Sequence, residues 1–191
     1  YFAHPDGSFG GEYGSRRTEI FYPGGIALLA DEFQDAAYLC EFMINSSEAG
    51  NTINLSDIDM GNTAPLLNSY ILALETGKNS KELLSKLPFN EVNLNKDFHA
   101  AGLAIRSREK YFLIFGASNG GVLKIFDKNT NRLILDDCGI IGSRNKGSRI
   151  TTQSTCLENP MKTGRDFLES ESRFFNLKDS IPNPFNFFLL R

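Results

Sequence analysis

The sequence predicts an α+β protein in which helices come first and antiparallel strands follow. Two observations carry this. Up to residue 87 apolar side chains recur at three- and four-residue intervals, the spacing of helix faces. Beyond Pro88 the period shortens to two, in short runs of Ile, Leu, Phe and Val separated by polar turns. Helices first and strands after suggest two units meeting near residue 90, 1–90 helical and 91–191 antiparallel β.

The elements follow in order. Pro23 suits a first helical turn, and from Ile26 the apolar positions Leu29, Ala30, Phe33, Ala37, Cys40 and Ile44 mark one helix face over 26–44. Leu28, Leu39, Phe42 and Met43 widen that stripe and predict burial on most sides. Residues 53–62 read as a surface loop holding Asp57 and Asp59, without the glutamate that would close a calcium loop. A second helix is expected over 63–76, with Pro65 in its first turn and Gly77 as C-cap, and a short third one over 80–86. Strands are expected at 98–106, 111–115, 122–126 and 132–135, the last two joined by a hairpin turn at 127–131. Shorter ones are expected at 138–141, 149–155, 173–177 and 185–190.

Composition sets bounds. The 191 residues are 41% hydrophobic and 23% charged, ordinary for a soluble domain, and sixteen Phe with no Trp predict a Phe-rich core. A net charge of −3, with no basic stripe interleaved with aromatics, gives no reason to expect nucleic acid. No apolar run reaches the length of a membrane span, and the first residues lack the lead of a signal peptide. Cys40, Cys138 and Cys156 are odd in number and lack metal-ligand spacing; they read as small buried apolar residues, and no metal or cofactor is expected. A chain that starts inside a rich motif and ends in an apolar run reads as a piece of a longer protein, with unpaired sheet edges and exposed apolar surface expected.

The richest stretch is the first: His4, Asp6, Ser8, Glu12, Tyr13, Ser15, Arg16, Arg17, Glu19 and Tyr22, interspersed with glycines. Glycine lets a loop turn and approach a bound molecule closely, so the stretch reads as a binding loop seated on the start of a helix. Adjacent side chains diverge. One of Arg16 and Arg17 is therefore expected to pair with Glu12 or Glu19, and the other, Arg16, to face a cleft beside Tyr13 and His4. His99 reads as a solvated or hydrogen-bonded strand residue, and Asn119-Gly120-Gly121 as turn chemistry.

Asp6-Gly7-Ser8, Glu12, Ser15 and the apolar helix from Ile26, then Gly102-Leu103-Ala104-Ile105-Arg106-Ser107, then Leu133-Ile134-Leu135-Asp136-Asp137-Cys138-Gly139, resemble the heparinase II/III-like group of polysaccharide lyases. The resemblance covers residues 4–45 and 98–142, in the family's order. It implies the C-terminal helices of an α/α toroid followed by the start of an antiparallel β-sandwich. It also implies β-elimination on an acidic polysaccharide held between the two, and a secreted or periplasmic setting. Elimination needs an acid, a base and a group that neutralises the uronate carboxylate. Tyr13, Tyr22 and His4 are the acid–base candidates. Arg16, Arg17, Glu12, Asp6 and Ser15 are the substrate-binding candidates, with the guanidinium forks suited to a carboxylate. The stretch 116–124, where the family carries histidines, has none, which keeps open a carbohydrate-binding or assembly protein of the same fold. A glycoside hydrolase using Asp6 and Glu12 as a carboxylate pair is the other alternative.

Overall fold

The computed structural model describes residues 1–14, 19–76, 87–144, 147–153, 156 and 158–177. The helix expected at 80–86, the cap at Gly77 and the strand expected at 185–190 lie outside them. Among the described residues the architecture is mixed α+β, with few helices and only antiparallel strand pairs. No described helix is long and apolar enough to cross a membrane.

The single helix expected over 26–44 is two. Helix α1, Pro23–Ala27, is followed by turns in which the amides of Leu29, Ala30 and Glu32 bond carbonyls three residues back. That winding is tighter than an α-helix and shifts the phase of the apolar face, so Leu28, Leu29 and Phe33 end up exposed rather than buried. Helix α2, Gln34–Glu48, restarts after an extended Phe33 and buries Cys40 and Met43. Helix α3, Met60–Thr76, begins earlier than expected because the Asp59 carboxylate accepts the Asn62 amide (3.1 Å), capping the free helix end. Pro65 therefore lies inside α3, beyond its first turn. Helices α1 and α3 approach closely at Gly24, whose amide donates to Ser69 Oγ (2.8 Å) and where a Cβ would stand 2.8 Å from the Ser69 carbonyl oxygen.

Strands β1 (Leu94–Phe98), β2 (Leu103–Ser107), β3 (Tyr111–Gly116), β4 (Val122–Asp127) and β5 (Arg132–Asp137) form a meander in chain order. The strand expected over 98–106 is thus two strands meeting at a corner, a 3₁₀ turn at His99–Ala101 closed by Gly102 at φ 59°. A Cβ at Gly102 would come within 2.9 Å of the Ser118 amide nitrogen, so the corner needs glycine for both conformation and space. Arg106 and Ser107 tie β2 to the chain around it. Arg106 Nη1 donates to Asp97 Oδ1 (2.5 Å), Thr163 Oγ1 donates to Asp97 Oδ2 (2.7 Å), and Ser107 Oγ donates to the Glu91 carbonyl (2.6 Å). Strands β6 (Ile141–Ser143), β7 (Arg149–Thr151) and β10 (Phe175–Asn176) make a second sheet, and β8 (Met161–Thr163) pairs with β9 (Leu168–Ser170), a hairpin the sequence pattern did not suggest.

The middle strands of the main sheet, β2, β3 and β4, are covered on both faces. Leu103, Ile105, Phe112, Ile114, Val122 and Phe126 pack with Ala3, Tyr13 and Phe21 of the N-terminal segment and Met43 of α2. Ala104 and Phe115 on the other face pack with Met161 and Leu168 of the β8–β9 hairpin. Strand β5 is exposed along its length, and its pairing with β4 slips by a bulge opposite Ile125 and Phe126. All three cysteines are free. Cys40 is buried as expected, but Cys138 and Cys156 are only half-buried, Cys138 because it follows this outer strand.

Candidate functional site

The N-terminal segment folds back on itself before it meets the sheet. Ala3 bridges Phe9, the Gly10 amide donates to the Phe2 carbonyl (2.8 Å), and the His4 amide donates to that of Ser8 (3.0 Å). Gly7, at φ 87°, lies where a side chain would run into Ser46, whose hydroxyl donates to the Gly7 carbonyl (2.5 Å). The loop is thereby tied to α2.

Inside this loop lies a chain of four polar side chains with a defined direction. Ser8 Oγ gives its hydrogen to Asp6 Oδ1 (2.7 Å). It is therefore the acceptor towards His4 Nδ1 (2.8 Å), which must carry a hydrogen. A neutral imidazole has one N–H, so Nε2 accepts, and the Tyr13 hydroxyl donates to it across 2.7 Å. His4 is 1% exposed and Tyr13 4%. Burial, reinforced by the charge on Lys124, lowers His4 to about 3, so the imidazole is neutral at ordinary pH. Burial, with the carboxylates of Glu12, Glu19 and Asp6, raises the Tyr13 phenol and keeps it protonated. The His4 ring also stacks on Phe126 of β4, centroids 4.5 Å apart.

A charged cluster stands beside it. Lys124, on β4, places Nζ 3.0 Å from Glu12 Oε2 and 3.5 Å from Asp136 Oδ2. Burial opposes the charge on Lys124, but the hydrogen bond and charge of Glu12, then Asp136, outweigh it and raise the ammonium above its ordinary value. Burial likewise opposes the charge on Glu12, and Lys124 outweighs it, so Glu12 is held low. Glu12, Asp136 and Cys138 bring potential ligand atoms within 4.8 Å of one another, and the one ammonium of Lys124 stands between the two carboxylates.

Beside these groups opens a cleft of about 310 Å³, lined by Ser8, Phe9, Gly10, Glu19, Gly50, Asn51, Thr52, Ile53, Asp57 and Lys124. Ser8, Thr52, Asn51, Glu19, Asp57 and Lys124 are polar, and Phe9 and Ile53 are apolar. The cleft can offer both donors and acceptors to a polar ligand, with an apolar surface to lie against.

Of the residues expected from sequence, Asp6, Ser8, His4 and Tyr13 join in one hydrogen-bonded chain, Glu12 pairs with Lys124, and Glu19 lines the cleft. Within that hydrogen-bonded chain only Ser8 lines it. His4 and Tyr13 lie behind the wall, bonded to each other. Tyr22 is exposed at the N-cap of α1. Ser15, Arg16 and Arg17 lie outside the described residues. His99 is exposed in the β1–β2 corner.

Two residues that sequence reasoning assigned to turns or strands hold the loop in place. Asn119 Nδ2 donates to the carbonyls of Glu12 (2.9 Å) and Gly14 (2.7 Å). Gly116 has no side chain where a Cβ would meet Tyr13 Cβ at 3.0 Å. The signal available was Asn before a Gly-Gly pair in a sheet corner, which marks a turn without revealing what the amide grips. No family model, curated protein or solved structure matches this chain.

Proposed function

We propose that the protein binds a glycan in the cleft between the N-terminal loop, the loop after α2 and strand β4. The observation that supports this reading is the lining: polar Ser8, Glu19, Asn51, Thr52, Asp57 and Lys124 together with Phe9 and Ile53. Sugars are recognised by that combination, polar groups for the hydroxyls and an aromatic ring for the C–H face. In line with the resemblance to heparinase-like lyases, residues 1–90 would be the end of a helical toroid, residues 91–191 a β-sandwich, and the glycan an acidic polysaccharide. Binding is favoured over turnover because His4 and Tyr13 saturate each other in the interior and neither ionises near neutral pH.

A second reading, β-elimination, rests on one observation. Tyr13 and His4 stand 2.7 Å apart, the arrangement of an acid–base pair. Calorimetric titration with uronate-containing and neutral oligosaccharides, run beside ultraviolet detection of unsaturated products and a reducing-end assay, separates these readings. Saturable binding of uronate oligosaccharides without either product is the expected result. Unsaturated products would establish the lyase, new reducing ends alone a hydrolase, and no binding of any glycan would remove the proposal.

A further inference from the structure

The segment after α2 is held by the way that helix ends. Gly50 takes φ 74°, its amide donates to the Ser47 carbonyl (3.1 Å), and the Asn51 amide reaches back to the Ser46 carbonyl (2.9 Å). This pair of bonds around a left-handed glycine is the Schellman ending of a helix, and Ser46 is itself bonded to the Gly7 carbonyl of the N-terminal loop. Thr52 therefore leaves α2 in a fixed direction, into the wall of the cleft. It is 9% exposed, and its hydroxyl oxygen is covered from solvent with no hydrogen-bond partner among the described residues. Among those residues no other side chain lining the cleft carries such an atom. A buried hydroxyl left unpaired costs stability that a methyl group in its place would not.

We propose that Thr52 is a specificity-determining residue of the cleft, its hydroxyl donating to a hydroxyl group of the bound sugar; this rests on the glycan reading and adds which group of the sugar is recognised. Because Oγ1 holds no bond, turning χ1 between staggered positions breaks none, so the hydroxyl is free to turn to a ligand in the cleft it lines. Its neighbours decide what it meets there. Ionised Glu19 and Asp57 only accept hydrogen bonds, and Ser8 has given its hydrogen to Asp6. Lys124 Nζ is drawn to Glu12 and Asp136, which leaves the lining richer in acceptors than in donors. A sugar hydroxyl suits such a lining, since it accepts from Thr52 and has a hydrogen to give to a carboxylate or to Ser8. A sugar carboxylate has none to give and would stand beside the like charges of Glu19 and Asp57. In an acidic glycan the Thr52 contact is thus to a hydroxyl and not to the uronate group.

Calorimetric titration of a uronate oligosaccharide and its monodeoxy forms against the wild type, Thr52→Val and Thr52→Ser, with urea denaturation of each chain, tests this. Thr52→Val should bind the parent sugar about threefold to tenfold more weakly, while its urea midpoint stays level or rises because the stranded hydroxyl is gone. Thr52→Ser should bind like the wild type. One monodeoxy form should lose a similar factor against the wild type and nothing further against Thr52→Val, the signature of a direct contact. If valine prevents folding, Thr52→Ala, which also lacks the hydroxyl, takes its place in the titrations. Equal affinities of the wild type and the variant without the hydroxyl would overturn the assignment and leave the glycan reading standing. So would a lowered midpoint of Thr52→Val with no deoxy form singled out, which would show the hydroxyl to be structural. A wild type that binds no oligosaccharide would remove the glycan reading and this inference with it.

Discussion

Replacing Tyr13 with Phe removes one oxygen atom and leaves the ring's packing intact. The ring stacks on Phe2 at 5.6 Å and the Tyr13 Cβ lies beside Gly116, and neither contact involves the hydroxyl. What changes is His4 Nε2, the acceptor of a neutral imidazole that is 1% exposed. With its donor gone, that nitrogen is buried and unpaired, at a cost of about 1–3 kcal/mol, against about 0.5–1.5 kcal/mol for losing a typical satisfied bond. With a urea m-value of about 2 kcal/mol/M the midpoint should fall by about 1 M while m stays constant. A His4→Phe, Tyr13→Phe double variant removes both partners and should be less destabilised than the two single variants together, because neither group is left stranded. Glycan affinity of Tyr13→Phe should match the wild type, since the hydroxyl lies behind the cleft wall. An unchanged urea midpoint, or strictly additive single variants, would refute the directed Tyr13–His4–Ser8–Asp6 chain. Loss of glycan turnover in Tyr13→Phe would instead place the phenol in chemistry.

Three further outcomes follow from the same geometry. The His4 imidazole titrates near 6.5 when unfolded and at about 3 when folded, so below pH 6.5 the unfolded chain binds the extra proton. Its contribution to stability is complete above pH 6.5 and is lost towards pH 3 with a slope approaching about 1.4 kcal/mol per unit, and His4→Asn should flatten that slope in pH-dependent denaturation. Lys124→Met leaves Glu12 and Asp136 facing each other without a counter-ion; because both carboxylates are partly exposed, thermal denaturation should show a loss of about 1–2 kcal/mol rather than the larger cost of a fully buried pair. Asn119→Ala removes two donors from the Glu12 and Gly14 carbonyls, and should lower stability by about 1–3 kcal/mol and speed hydrogen exchange in the N-terminal loop while leaving β2 and β3 protected.

Local pattern was enough for much of the fold. The two-residue alternation at 111–115 and 122–126 and the Asp-Lys-Asn-Thr-Asn turn foretold β3, β4 and their neighbour β5, because each depends on adjacent residues. The breaks were harder to foresee. Helix 26–44 kept its apolar spacing on paper while three-residue hydrogen bonds after Ala27 turned its phase. The strand over 98–106 hid a corner whose only local mark was Gly102, and the reason for glycine there is Ser118, sixteen residues away. At the site, the sequence grouped His4, Asp6, Glu12 and Tyr13 by proximity in the chain. It did not supply Lys124, Asp136 or Asn119, which arrive from the sheet more than a hundred residues later. Nor did it separate groups facing a cleft from groups facing one another, because burial depends on the Phe126 and Met43 packing that closes over His4 and Tyr13.

The central claim, a glycan held in the cleft, is tested most directly by following backbone amide resonances during titration with a uronate oligosaccharide. The account predicts shifts concentrated at residues 8–10, 50–53 and 57 and at Lys124, saturating together. Asn51→Ala should weaken the binding by about 0.5–1.5 kcal/mol. Shifts centred elsewhere, or none at saturating sugar, would contradict it.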